Sequence, residues 1–183
     1  MKSNFLKKVW YFVWYEDSLL SWLVNVFLAF ILVKFVFYPV LGLVFGTQYP
    51  LVAVVSCSME HNSDFSVWWD KNNDWYINNN ITEEQFYNFS FKNGINQGDI
   101  MILKNVLDPY IGDVIVFRGS GENPIIHRLV NIKNNNLITK GDNNFVQDRN
   151  TGQVLGKAIF RVPYLGWIKI FFNGLIGQKI IKC

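Results

Sequence analysis

Ser56 and Ser58 stand two positions apart at the end of the apolar, β-branched run Leu51–Val55, and Met59, Glu60 and His61 follow them. Further along, in separate segments, come His127, Lys140, Asp142 and Asp148. A serine hydroxyl is a poor nucleophile until a neighbouring base takes its proton. An imidazole suits that work near neutrality, so His127, between Ile126 and Arg128, is one candidate base. Lys140 is another, and His61, three residues from Ser58, is a third. An imidazole base also needs a partner to fix its tautomer. Asp142 and Asp148 both follow His127, and spacing alone does not choose between them. Taken singly, each residue has a plainer reading: serines at strand ends cap turns, and an isolated histidine is structural. The combination is more specific than any of its parts.

These residues need elements to carry them. Val52, Val54 and Val55 favour an extended strand. Side chains repeat every second residue along a strand, so both serine hydroxyls would point to one side. One would be the nucleophile and the other a donor to the oxyanion. After Gln97 the chain reads as all-β, with strand-like runs at Asp99–Lys104, Asp113–Phe117, Ile125–Ile132, Leu137–Thr139 and Leu155–Val162. Turn signals separate them: Gly112-Asp113, Gly119–Gly121, Asn134–Asn136 and Gly141–Asn144. Gly119–Gly121 is expected to be a hairpin loop and not a phosphate cradle, because no Gly-Lys-Ser/Thr follows.

Ahead of this stands a different kind of sequence. Residues 1–18 mix Lys2, Lys7 and Lys8 with Trp10, Tyr11, Trp14 and Tyr15, which suits a lipid surface. Asp17 or Ser18 is placed to cap a helix. At about 1.5 Å per residue, Leu19–Val40 reaches about 33 Å, enough for a bilayer core of about 30 Å. Lys34 can snorkel near its far end, and Asn25 is expected to face a partner helix. The run is too long for a signal-peptide core and reads as a permanent anchor. The early lysines put the N-terminus in the cytoplasm and the rest outside. Pro39, Gly42, Gly46 and Pro50 are expected to end the helix.

Residues 62–97 are rich in Asn and Asp with embedded Trp68, Trp69, Trp75, Tyr76, Phe86, Phe89 and Phe91. Thr82–Gln85 fits a capping box, so a short helix through Phe89 is expected. The segment reads either as a surface insertion with its own apolar cluster or as a lid or membrane-dipping element. Asn80-Ile-Thr82 and Asn88-Phe-Ser90 are glycosylation sequons where the compartment supplies the machinery. Residues 167–183 are too short for a second span and are expected to lie on the membrane surface.

Composition excludes several classes. The net charge of +3 is mild and the lysines form no aromatic-interleaved stripe, so nucleic acid is not an expected partner. With two histidines and no H-E-x-x-H or C-x-x-C, a zinc site has no ligand set, and no cofactor is expected. Cys57 and Cys183, at the serine segment and the extreme end of the sequence, are not expected to bridge.

Read together, the motifs resemble those of type I signal peptidases of the archaeal and endoplasmic-reticulum branch. The matches run in order from Tyr49 to about Gly166: Ser56-Cys-Ser58-Met59-Glu60, Gly98-Asp99, Gly112-Asp113, Ile126-His127-Arg128, Thr139–Asn144 with Asp148, and Val162–Gly166. The resemblance implies a mainly β domain behind one transmembrane helix, with residues 47–166 as the peptidase domain and 62–97 inserted in it. It implies Ser58 as nucleophile, His127 as base and Asp148 as its orienting group. Asp142 would support the same network or the local loop. The Ser58 N–H and the Ser56 hydroxyl would meet the oxyanion. In the bacterial branch a lysine stands where His127 stands. The implied partners are preprotein signal peptides, membrane lipid, the export translocon and accessory subunits. A catalytically silent subunit that presents signal sequences is the alternative. The chain departs from the family at His61, where proline is usual, and in the length of the insertion. Its Asn- and Lys-rich composition favours an archaeal source.

Overall fold

A computed structural model describes residues 2–119, 124–149, 151–177 and 183. The chain separates into two compact units, one running to Val44 and one from Phe45 to Cys183.

In the first unit, α1 (Lys2–Trp14) turns into α2 (Leu19–Leu32), and Ser18 caps α2 by accepting from Ser21 N at 3.2 Å. The last carbonyls of a helix have no partner within it. Here polar side chains of α2 supply two: Ser21 Oγ donates to Phe12 O at 2.6 Å and Asn25 Nδ2 to Val13 O at 2.9 Å. The partner that Asn25 needs is therefore α1 of the same chain. The helical path does not stop at Val40. It continues through a π turn (Val33–Phe37) and α3 (Tyr38–Phe45), giving 27 residues from Leu19 to Phe45, long and apolar enough to cross a membrane. Pro39 is tolerated because the turn before it is widened. A proline ring clashes with the carbonyl four residues back, and a π turn opens that spacing.

The second unit is built on one six-stranded sheet: β1 (Leu51–Ala53), β2 (Ile100–Lys104), β3 (Val114–Arg118), β4 (Pro124–Lys133), β5 (Asn136–Lys140) and β6 (Val154–Val162). The order is β1-β2-β6-β3-β4-β5, with every neighbouring pair antiparallel. The strand runs expected after Gln97 are all present. Asp99 and Asp113 open β2 and β3 by accepting from the backbone N–H three residues earlier, Asn96 and Tyr110, at 2.9 and 3.0 Å. One core cluster joins Val52, Val54, Met59, Ile95, Met101, Leu103, Val114, Val116, Ile126 and Ala158. Of the expected Gly119–Gly121 loop, residues 120 and 121 lie outside the described ones.

The insertion carries an apolar cluster of its own, packed on the sheet. It forms α4 (Phe65–Asn78) and α5 (Glu83–Tyr87), and the capping box of Thr82 with Gln85 is made in both directions. Helix α5 ends at Tyr87, short of Phe89. Phe65, Trp68, Trp69, Tyr76, Ile81 and Phe86 pack into a second core with Val130 of β4. Sequence patterning missed α4 because its aromatic stripe lies among Asn and Asp. The sequon residues Asn80 and Asn88 are both exposed at the ends of these helices. Near the C-terminus, α6 (Trp167–Leu175) buries Ile170 and exposes Ile168, Phe171, Phe172 and Leu175.

Candidate active site

Strand β1 ends at Ala53, but Val54 still exchanges hydrogen bonds with the β2 entrance: its N–H reaches Asp99 O and its carbonyl accepts from Gly98 N, both at 2.9 Å. The chain then turns, with Glu60 N donating to Cys57 O at 3.1 Å. Ser56 Oγ and Ser58 Oγ lie 3.3 Å apart. They share a side, as expected, but a turn brings them together and not strand alternation.

The turn after β5 holds this loop from behind. Asn143 N donates to Ser58 O at 2.8 Å and Asn143 Nδ2 to Cys57 O at 3.3 Å. A Cβ on Gly141 would lie 2.8 Å from Ser58 O, so that close approach requires glycine. Ser56, Ser58 and Met59 form one wall of a cavity of about 280 Å³, and Pro124–His127 of β4 form another. Ser58 and His127 thus face a common space. Among the described residues, the hydrogen-bond partner of Ser58 Oγ is Ser56 Oγ and not His127.

His127 Nδ1 lies 2.6 Å from Asp148 Oδ2, and Thr139 Oγ1 donates to the same oxygen at 2.6 Å. Thr139 Oγ1 also lies 3.0 Å from Thr151 Oγ1, and Asp148 N donates to Thr139 O at 2.7 Å. Burial works against a charge on Asp148, but the hydrogen bonds from His127 and Thr139 outweigh it and hold the carboxyl below the ordinary range. A carboxylate on Nδ1 places that ring proton on Nδ1 and leaves Nε2 as the free acceptor.

Asp142 lies elsewhere. It is fully enclosed, and Arg128 grips it with two bonds: Nε to Oδ1 at 2.9 Å and Nη2 to Oδ2 at 2.7 Å. His61 Nε2 is 3.0 Å from Oδ2, and the Tyr76 hydroxyl donates to Oδ1 at 3.4 Å. Burial opposes its charge too, yet Arg128 above all, with His61, holds the carboxyl well below the ordinary carboxylate range. The same burial, with Asp142 beside it, pushes the Tyr76 phenol far up.

The rival bases are both occupied in this second network. His61 stacks flat on Trp68, with ring centroids 3.7 Å apart. Lys140 Nζ donates to Tyr76 OH, Gly141 O and Asp142 O at 3.2–3.3 Å and sits over the Tyr76 ring at 4.6 Å. Burial lowers its pKa to about 8, only partly offset by Asp142. Neither His61 nor Lys140 lines the cavity of Ser58.

Sequence reasoning missed Thr139, Arg128, Tyr76 and Asn143 as parts of the site. Thr139 and Asn143 lay within the Thr139–Asn144 motif, and Arg128 beside His127. Tyr76 had no sequence signal.

The two cysteines, expected to stay apart, form a disulfide with Cα atoms 5.4 Å apart. Sequence distance misled because the fold folds back: Gly166 N donates to Gly98 O at 2.8 Å. The Trp167 ring lies against Gly98, whose φ of +86° and missing Cβ make room for it. Gly98 is itself bonded to Val54, so α6 starts beside the end of β1.

The chain is similar to catalytic subunits of signal peptidase complexes. It is 34% identical over 102 residues to the signal peptidase complex catalytic subunit SEC11C of Homo sapiens, covering 46% of this chain and 53% of that one. To the catalytic subunit SEC11 of Plasmodium falciparum it is 32% identical over 100 residues, covering 46% and 54%. To that of Leptosphaeria maculans it is 29% identical over 120 residues, covering 50% and 69%. The chain thus spans about half the length of the first relatives it matches. No protein-family model matches it. All three relatives are eukaryotic, and the archaeal branch has no counterpart among them.

Proposed function

We infer that this chain is a membrane-bound serine endopeptidase that removes signal peptides from exported preproteins. The observation that carries this reading is the His127–Asp148 pair on the wall of the cavity that Ser58 faces. The similarity to subunits named as catalytic supports it.

In this mechanism Ser58 Oγ turns from Ser56 toward His127 Nε2 when substrate binds. Catalytic hydrogen bonds commonly tighten only in the substrate complex. Ser58 Oγ attacks the carbonyl of the last signal-peptide residue while His127 takes the hydroxyl proton. Asp148 steadies the imidazolium. The Ser58 N–H and the Ser56 hydroxyl meet the oxyanion, and loss of one such donor typically costs about 3 kcal/mol. His127 then gives its proton to the leaving amine, and water, activated by the same imidazole, releases the signal peptide from Ser58. Asp142 acts on the loop and not on the base, through Arg128 and the turn that holds Ser58 O.

The substrate runs extended along a free strand edge. Strand β5 pairs with β4 only from Arg128 onward, so among the described residues Pro124–His127 have one edge without a partner strand, on the cavity that Ser58 lines. Small side chains one and three residues before the cut are the expected specificity. The Leu19–Phe45 helix anchors the enzyme in the membrane that holds the substrate's own hydrophobic core, which raises their effective concentration. In this reading the N-terminus is cytoplasmic and the catalytic unit faces the far side, beside the translocon. Accessory subunits are expected, since the relatives are named as parts of a complex.

The test is cleavage of a model preprotein with an Ala-x-Ala site by the detergent-solubilised protein, beside Ser58→Ala. Cutting after the second alanine by wild type only supports the reading. No cutting by folded wild type, alone or with membrane extract that supplies accessory subunits, would replace it with a silent, signal-presenting subunit; cutting restored by the extract in wild type and not in Ser58→Ala would show a missing partner.

A further inference from the structure

The Cys57–Cys183 bridge has a position that bears on the serines either side of Cys57. Cys57 lies between Ser56 and Ser58, and the bridge spans 126 residues to the far end of the chain. Ser56 and Ser58 both line the cavity, whereas neither cysteine does. The bridge therefore leaves the cavity open while it joins the residue between the two serines to Cys183.

The other restraints on this turn are non-covalent: Asn143 N on Ser58 O, Asn143 Nδ2 and Glu60 N on Cys57 O, Ile95 N on Met59 O, Gln97 Nε2 on Val55 O, and the burial of the Met59 side chain in the core. The hydrogen bonds among them are single ones, each weak beside a covalent bond. The disulfide is the one covalent cross-link among the described residues. Cys183 is exposed while Cys57 is half-buried, so attack from solvent falls on the Cys183 sulfur.

We propose that Cys57 and Cys183 are positioning residues for Ser58, and that the bridged form is the more active state while a dithiol reductant slackens it. One thiolate of the dithiol attacks the Cys183 sulfur, and the Cys57 sulfur leaves as a thiolate. The second thiol of the reductant then displaces Cys183 from the mixed disulfide. The reductant ends as a disulfide, and the protein gains two electrons and two protons as two thiols. An oxidising compartment favours the bridged form, in keeping with a catalytic unit outside the cytoplasm. The inference rests on the peptidase reading for its effect on rate.

The test uses the full detergent-solubilised chain, oxidised or treated with dithiothreitol, with Cys183→Ser and Ser58→Ala beside it. Thiol trapping under denaturing conditions should find no free thiol in oxidised protein and two after reduction. Reduction should lower kcat by about tenfold with KM little changed, within the about 10²-fold that an ångström-scale misplacement can cost. Cys183→Ser should match reduced wild type and ignore the reductant. Equal kcat in both trapped states, or free thiols in protein kept oxidised, would overturn the proposal. If oxidised wild type fails to cut, the peptidase reading fails separately. Amide hydrogen exchange over Ser56–Glu60 then decides the positioning role: it should quicken on reduction, and unchanged exchange would refute it.

Discussion

His127 and Arg128, neighbours on β4, divide the two aspartates between them: His127 takes Asp148 at 2.6 Å and Arg128 takes Asp142 at 2.7 Å. Successive side chains leave a strand on opposite faces. The pairing partners continue the division. Thr139 of β5 serves Asp148, while Lys140 lies with Arg128 on the aromatic side. One face of the hairpin thus prepares an imidazole, and the other holds a buried charge cluster under the Ser58 turn.

That division predicts opposite phenotypes for the two aspartates. Asp148→Asn should lower kcat by about 10³- to 10⁴-fold through the wrong imidazole tautomer. Its melting temperature should stay near wild type. Single-turnover cleavage and a thermal melt on the same sample check both halves.

Asp142→Ala should act the other way, on folding first. It leaves the Arg128 guanidinium, which has no exposed surface, without its counter-charge, a loss of about 3–5 kcal/mol. The folded Asp142 pKa is held below its unfolded value, so its stabilisation is present above about pH 4 and is lost as pH falls further. Urea unfolding across the acid range should show a slope in wild type that shrinks in Asp142→Asn.

His61 should be dispensable for proton transfer. His61→Phe keeps a ring on Trp68 and loses the bond to Asp142, so it should cost stability by about 1–3 kcal/mol while cleavage persists. His127→Ala should abolish cleavage. Loss of cleavage in His61→Phe with an intact fold would make His61 the base.

Lys140 gives a test at the alkaline end. Its folded pKa of about 8 lies below the ordinary lysine value. The unfolded chain therefore binds more protons between about pH 8 and 10, and stability gains a rising contribution over that window. Lys140→Met should lose that rise and retain cleavage. Abolished cleavage in folded Lys140→Met, with activity kept in His127→Ala, would instead assign a Ser-Lys pair.

The sequence by itself determined what depends on local pattern. Short strand-like runs between turn signals placed the strands after Gln97, a long apolar stretch with the single charge of Lys34 placed the membrane-length helix, and Thr82 with Gln85 marked the start of α5. It also offered Ser58, His127, Asp142 and Asp148 as candidates, through motifs that resemble a family's in order. Only the tertiary structure assigned the aspartates, since which of two loop carboxylates meets a ring depends on strand face and pairing register. It alone turned the aromatic insertion into a second core, because a stripe of rings becomes interior only when Val130 is there to receive it. It alone carried the helix past Pro39 and joined Cys57 to Cys183, because widened turns and chain reversals are properties of three-dimensional path and not of spacing along the sequence.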